Sequence, residues 1–237
     1  NKISCGEAGC AGDAWCGIAA VGETLYCAPF NASSVLVICA KTETVRRVEC
    51  GVSGSYKWSG IAAVGNELFC APCCASSILV LNVETNAVSF LKCGVAGQWK
   101  WDGIAAVSNK LFCAPCNARD VLVICATSKV VTLVNCGLVG DYKWSGIAAV
   151  NDTLYCAPDN ASSVLTIDAK TDTVGTMDCG VIGRSKWSGI AAVGDTLYCA
   201  PYDASSVLVI DAKAKTATTV NCGSTRSSKW SGIAAVG

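Results

Sequence analysis

Cysteine is the residue type best supplied for chemistry in this chain, and histidine is the one withheld. Eighteen cysteines and no histidine stand among 237 residues. A thiol can serve as nucleophile, metal ligand or half of a disulfide. Each role needs company: a base, further ligands, or a second thiol with its Cα within about 7 Å. Without histidine, the commonest general base, the commonest metal ligand and the usual triad partner are all missing. Catalysis would have to run on carboxylate, lysine, tyrosine or thiol groups alone.

The cysteines follow a pattern. Cys27, Cys70, Cys113, Cys156 and Cys199 form one regular series, and Cys50, Cys93, Cys136, Cys179 and Cys222 a second, with Cys5 as its sixth member. Such regularity suits small buried hydrophobes with inert thiols. Cys70-Ala-Pro-Cys73 and Cys113-Ala-Pro-Cys116 have the spacing of half a zinc site. They lie in separate repeats, and the first cysteine of each belongs to the regular series, so neither a metal nor a cofactor is expected. Cys10, Cys16, Cys73, Cys74 and Cys116 fall in loops and could bond locally or to a partner.

What positions these groups is a repeat. Lys57-Trp58-Ser59-Gly60-Ile61 returns at Lys100–Ile104, Lys143–Ile147, Lys186–Ile190 and Lys229–Ile233, and a diverged copy begins at Trp15. The tryptophans Trp15, Trp58, Trp101, Trp144, Trp187 and Trp230 are 43 residues apart throughout. Fixed periods of this length mark solenoids, propellers or arrays.

Four apolar segments recur in each unit. The first is Gly60–Val64 and its equivalents, closed by two-residue turns such as Gly65-Asn66, Ser108-Asn109 and Asn151-Asp152, expected as type I′. The second is Leu68-Phe69-Cys70-Ala71, ended by proline. A loop of the Asn31-Ala32-Ser33-Ser34 kind leads to the third, Val35–Ile38, rich in β-branched residues as a strand buried on both faces is. The fourth, for example Thr216–Asn221, is less hydrophobic, as an outer strand is. Four short antiparallel strands in 43 residues match a propeller blade, and turn signals every ten residues exclude long helices. The expected fold is all-β: a single β-propeller domain over residues 1–237. Repeats run over about 15–57, 58–100, 101–143, 144–186 and 187–229, with half-units at 1–14 and 230–237. A six-bladed ring with further strands beyond Gly237 is favoured, and five blades with overlapping ends is the alternative. Within one blade the two cysteine series lie on strands separated by a third, roughly 9 to 10 Å apart, too far for a bridge.

The string Gly189-Ile-Ala-Ala-Val-Gly-Asp-Thr-Leu-Tyr198, followed by Ser206-Val-Leu-Val-Ile-Asp211, resembles the YVTN and NHL-like propeller repeats. The fuller pattern, Lys-Trp-Ser-Gly-Ile with Tyr-Cys-Ala-Pro, is similar to tandem propeller repeats of unicellular algae and other protists. The resemblance implies the fold and brings no activity with it. Cys replaces the second-strand Val of those repeats, and Cys39, Asn82 and Cys125 stand where Asp168 and Asp211 keep the Asp.

Propellers host unrelated functions, so function must come from sites. Lysine plus arginine balances aspartate plus glutamate at 18 each, which leaves no basic footprint for nucleic acid. No apolar run approaches the roughly 18–20 residues needed to span a bilayer. The acidic residues fall mostly in turns (Glu23, Glu43, Asp172, Asp195), with Asp13 and Asp102 nearer the rim, so no carboxylate pair for hydrolysis stands out. On the rim, Lys57, Trp58, Lys100, Trp101, Lys143, Trp144, Lys186 and Trp187 approach Asn160 and Asp203. They could stack and hydrogen-bond a sugar or peptide, or merely pack between blades. Trp99 and Tyr142 repeat less strictly and are the better candidates for an exposed contact. The expected role is non-enzymatic: a protein-interaction scaffold or subunit of a larger assembly, with a multivalent, lectin-like glycan binder as the alternative and a propeller-type hydrolase behind both. Reduced thiols favour a reducing compartment. Sequons at Asn31, Asn151 and Asn160 matter only on a secretory or organellar route, which stays open.

Overall fold

The computed structural model describes residues 13–235, so Cys5, Cys10 and most of the half-unit 1–14 lie outside the described residues. Five four-stranded antiparallel sheets follow one another, each a blade whose strands lie side by side in chain order. Blade one is β1 (Trp15–Val21), β2 (Thr24–Pro29), β3 (Ser34–Cys39) and β4 (Thr44–Glu49). Blade two is β5 (Trp58–Val64), β6 (Glu67–Pro72), β7 (Ser77–Asn82) and β8 (Val88–Lys92). Blade three is β9 (Trp101–Val107), β10 (Lys110–Pro115), β11 (Asp120–Cys125) and β12 (Val131–Asn135). Blade four is β13 (Trp144–Val150), β14 (Thr153–Pro158), β15 (Ser163–Asp168) and β16 (Thr173–Asp178). Blade five is β17 (Trp187–Val193), β18 (Thr196–Pro201), β19 (Ser206–Asp211) and β20 (Thr216–Asn221).

Each first strand begins at its tryptophan, earlier than the Gly-Ile-Ala-Ala-Val segment alone suggests. It carries an irregularity between Trp and Ile: Trp58 pairs with Pro72, then Ile61 with Cys70. The 1–2 turns depart from type I′. Gly65, Ser108, Asn151 and Gly194 have φ of 53–57°, but the residue after each does not share the positive φ that type I′ requires.

The first strands neighbour one another in the order β1, β5, β9, β13, β17 around a common axis. Glycine makes this crowding possible. A Cβ on Gly60 would lie 2.7 Å from the Asp102 carbonyl, and one on Gly103 would lie 2.8 Å from that of Ser145. Segment 230–235 takes a sixth inner place beside β17 without forming a strand, and a Cβ on Gly189 would come within 3.0 Å of Gly232.

The core lies between blades, because each middle strand buries both faces. Leu68 and Cys70 on β6 pack back against Tyr26, Val35 and Val37 of blade one. Phe69 and Ala71, pointing the other way, pack forward against Leu111 and Cys113 of blade three. The outer strand is mostly exposed, β20 almost throughout. Ile18 shows what lacks a preceding blade among the described residues: it is 58% exposed, whereas Ile61, its equivalent, is 6% exposed.

Candidate functional site

The repeated Lys–Trp pair belongs to the scaffold. Trp58, Trp101, Trp144 and Trp187 are fully buried, and each indole Nε1 donates at 2.8 Å to a third-strand carbonyl of its own blade (Ser77, Asp120, Ser163 and Ser206). Lys57, Lys100, Lys143 and Lys186 are buried too. The Lys143 ammonium donates to Cys116 O at 2.9 Å, Ala118 O at 2.8 Å and Gly140 O at 3.1 Å. Lys100 and Lys186 repeat this with Cys73, Ala75 and Gly97, and with Asp159, Ala161 and Gly183. Lys57 bonds the Gly54 and Phe30 carbonyls. An ammonium has three protons, so three carbonyls satisfy it where water cannot reach. Burial holds Lys100, Lys143 and Lys186 below the usual lysine range. Of the two sequence readings for these eight residues, inter-blade packing is the one their burial fits; they present no surface to a ligand.

The residue just before each lysine behaves differently. Tyr56, Trp99, Tyr142, Ser185 and Ser228 all hold φ between 49 and 57°. The conformation is uncommon outside glycine, and side-chain ties hold it in place. The Tyr142 amide donates to Asn117 Oδ1 at 2.7 Å, Ser185 to Asn160 Oδ1 at 2.9 Å and Ser228 to Asp203 Oδ1 at 2.7 Å. Asn160 and Asp203, singled out from sequence as ligand groups, therefore act as ties between loops.

These loops carry an aromatic arc. Phe30 and Tyr56 meet edge-on at 5.1 Å, Tyr56 and Trp99 lie 5.0 Å apart, and Trp99 reaches Tyr142 at 6.2 Å. Tyr56 is 45% and Tyr142 43% exposed. A cleft of about 640 Å³ continues the arc, lined by Asp141, Tyr142, Asn160, Ile182 and Arg184. Ile182 stands almost fully in solvent and Val139 largely so. Trp99 and Tyr142 were legible from sequence as departures from the repeat. Phe30 and Tyr56 were missed, although aligning the residues before each lysine exposes Tyr56.

At the axis, an open cavity of about 480 Å³ is lined by Cys16, Ser59, Asp102, Ser145, Ser188 and Ser231 with their glycines. Asp102 Oδ2 accepts from Ser145 Oγ at 2.7 Å, and Ser59 Oγ donates to the Asp102 carbonyl at 2.7 Å. A larger cleft, about 940 Å³, opens on blade two between the loops that enter and leave it, along Val52, Phe90 and Val95, and its lining includes no acidic residue.

The sixteen described cysteines are all free thiols. The two series meet across blade interfaces: Cys50 with Cys70, Cys93 with Cys113, Cys136 with Cys156 and Cys179 with Cys199 share packing clusters. Burial pushes Cys70, Cys113, Cys156 and Cys199 well above the usual thiol range, so they stay protonated. Half-buried Cys39 and Cys125 go the other way, held down by hydrogen bonds from Thr42 and Ser128. Among the described residues no three Cys, Asp or Glu groups are placed to hold a metal ion.

Comparison with solved structures places the chain among β-propellers. It resembles virginiamycin B lyase from Staphylococcus aureus (TM-score 0.76, 11% identity, 89% of this chain and 71% of that one). It also resembles a chain of the nidogen/laminin complex (TM-score 0.67, 14% identity, 93% and 84%). The RRP9 WD40 repeats follow (TM-score 0.66, 12% identity, 86% and 62%). No family model and no curated protein matches the sequence. At these identities the likeness establishes the fold alone.

Proposed function

We propose that this propeller is a non-enzymatic interaction module that docks a protein partner, within a larger assembly, through the loop face bearing Phe30, Tyr56, Trp99 and Tyr142. The YVTN/NHL-like character of the repeats is part of the same reading and rests on the repeat residues. The observation that carries the proposal is the aromatic arc of Tyr56, Trp99 and Tyr142, its two tyrosines exposed and its base on buried Phe30, at positions where the backbone accepts serine equally well. Large aromatics are the residues that most often anchor protein interfaces. Structural neighbours include a nidogen/laminin complex and WD40 repeats, which fit the reading.

Against catalysis stands the side-chain inventory. A virginiamycin B lyase altered at one histidine is described as catalytically inactive, and this chain has no histidine. Asp102 is the one carboxylate in the axial lining, without a paired acid there. A lectin with one site per blade is disfavoured because the repeated tryptophans are buried; a glycan would have to use the single arc.

The test is native co-fractionation of the wild-type chain beside Trp99→Ser/Tyr142→Ser. The wild type should run with a defined protein partner, and the double variant should run alone with an unchanged circular-dichroism spectrum. Equal co-fractionation of both chains would sink the arc as the docking surface. Wild-type chain that ignores proteins but binds a glycan array would sink the protein partner.

A further inference from the structure

The six inner segments place one equivalent residue each around the axial cavity: Cys16, Ser59, Asp102, Ser145, Ser188 and Ser231. Five are neutral, and repeat three alone supplies a charge. Asp102 spends Oδ2 on Ser145 Oγ at 2.7 Å; Ser145 Oγ in turn lies 3.4 Å from Ser188 Oγ, and Ser188 Oγ donates to Ser231 O at 3.1 Å. Oδ1 has no partner among the described residues, and no lysine or arginine lines the cavity. A carboxylate facing a cavity of hydroxyls and glycines, without an internal counter-ion, favours a cation brought from outside.

The surrounding groups agree. Cys116 is pushed up to about 12 by burial and then by Asp102, so this thiol stays neutral beside it. Asp159, after β14 on the same side, also acts on Cys116, and its Oδ1 is buried without a hydrogen-bond partner among the described residues. Asp102 is the second residue of β9 and Tyr142 lies two residues before the neighbouring β13, so both stand at the end of the disc where the first strands begin. The lysines nearby are committed elsewhere: Lys100, Lys143 and Lys186 are each enclosed by three carbonyls, and Arg184 lines the outer cleft and not the axial cavity. An aromatic surface leading to a carboxylate suits a long side chain with an apolar stem and a positive head.

We propose that the axial mouth receives a lysine or arginine side chain of the docked protein, its cationic head on Asp102 and its stem against the Tyr142 end of the arc. This rests on the protein-docking reading above and adds the chemistry of what is docked: a basic segment.

The experiment titrates the intact chain with fluorescein-labelled tetra-arginine and tetra-lysine peptides, with tetra-glutamate as the opposite charge. Three variants accompany it. Asp102→Ser restores the serine of the other repeats, so the fold has four precedents for it. Trp99→Ser trims the arc. Asp195→Ser removes the same unit of charge from an exposed turn on the opposite face. The cationic peptides should bind the wild type and the Asp195 variant alike, and lose tenfold or more on Asp102→Ser. Equal loss on Asp195→Ser, equal binding of tetra-glutamate, or wild-type binding by Asp102→Ser would each overturn the proposal. So would the absence of any binding to the wild type. Co-fractionation with a partner that survives Asp102→Ser but not Trp99→Ser/Tyr142→Ser would keep the docking reading and overturn the cationic one.

Discussion

Along the loop face, blades share one backbone and carry opposite surfaces. Before the scaffold lysine, φ is 57° at Tyr56, 54° at Trp99, 50° at Tyr142, 49° at Ser185 and 51° at Ser228. The first three side chains are aromatic and join in one cluster with Phe30; the last two are serines. Two residues further on, the tryptophans are identical and, from Trp58 to Trp187, fully buried. The scaffold therefore demands the second aromatic position and is indifferent to the first. What the scaffold does not demand is where function is to be sought.

The comparison breaks most sharply at the buried position. Trp144→Ala should cost about 3–5 kcal/mol, since it empties an indole-sized space and frees the Ser163 carbonyl. Chemical denaturation reads this directly, and an unchanged midpoint would contradict the packing described. Next comes Gly103→Ala, at about 2 kcal/mol, because the new Cβ must displace backbone at Ser145 and Ile147; the same measurement applies, with Gly232→Ala, where a Cβ meets nothing and φ is not positive, as the control. Trp99→Ser sharpens the contrast with Trp144. It forfeits ring contacts worth about 1 kcal/mol and no more, so its melting curve should lie close to the wild type while partner binding fails.

The smallest effect is pH-dependent. Burial raises Asp159 from its ordinary 3.8 to about 6, with Lys186 opposing and Asp102 and Asp203 assisting. A carboxyl whose folded pKa is raised favours folding below its unfolded value, and that support is lost as pH climbs through about 4 to 6. Asp159→Asn removes the ionisation, so it should gain under about 1 kcal/mol at pH 8, after screening of a partly exposed group, and nothing at pH 4. Melting temperatures at the two pH values decide it; a gain at pH 4 would contradict burial as the cause.

Much of the fold was legible because a repeat multiplies weak signals. Trp, Pro and the β-branched run recur at fixed offsets, and five noisy copies align into four strands. The turn type was not legible: Ser108 and Asn151 tolerate positive φ, but sequence does not reveal whether the next residue joins them. The role of Lys57 and its equivalents was also hidden. Lysine usually marks solvent, and here only the ring of carbonyls from two loops, invisible before the chain is folded, turns it inward. The face proposed for docking was legible in part, through Trp99 and Tyr142, since both depart from the repeat. Asp102 was legible as an acid near the rim, but the role proposed for it depends on the five neutral residues that share the axis with it.

The lysine ties also have a direction. Lys100 reaches carbonyls of Cys73 and Ala75, and Lys143 those of Cys116 and Ala118, always in the blade made before its own. As the chain leaves the ribosome, each new unit meets a dock already assembled, and never has to wait for sequence still to be translated. Such an order suits one-dimensional arrays, whose units add by nearest-neighbour contact. It also lets duplication of a unit in the gene extend the array with every tie intact.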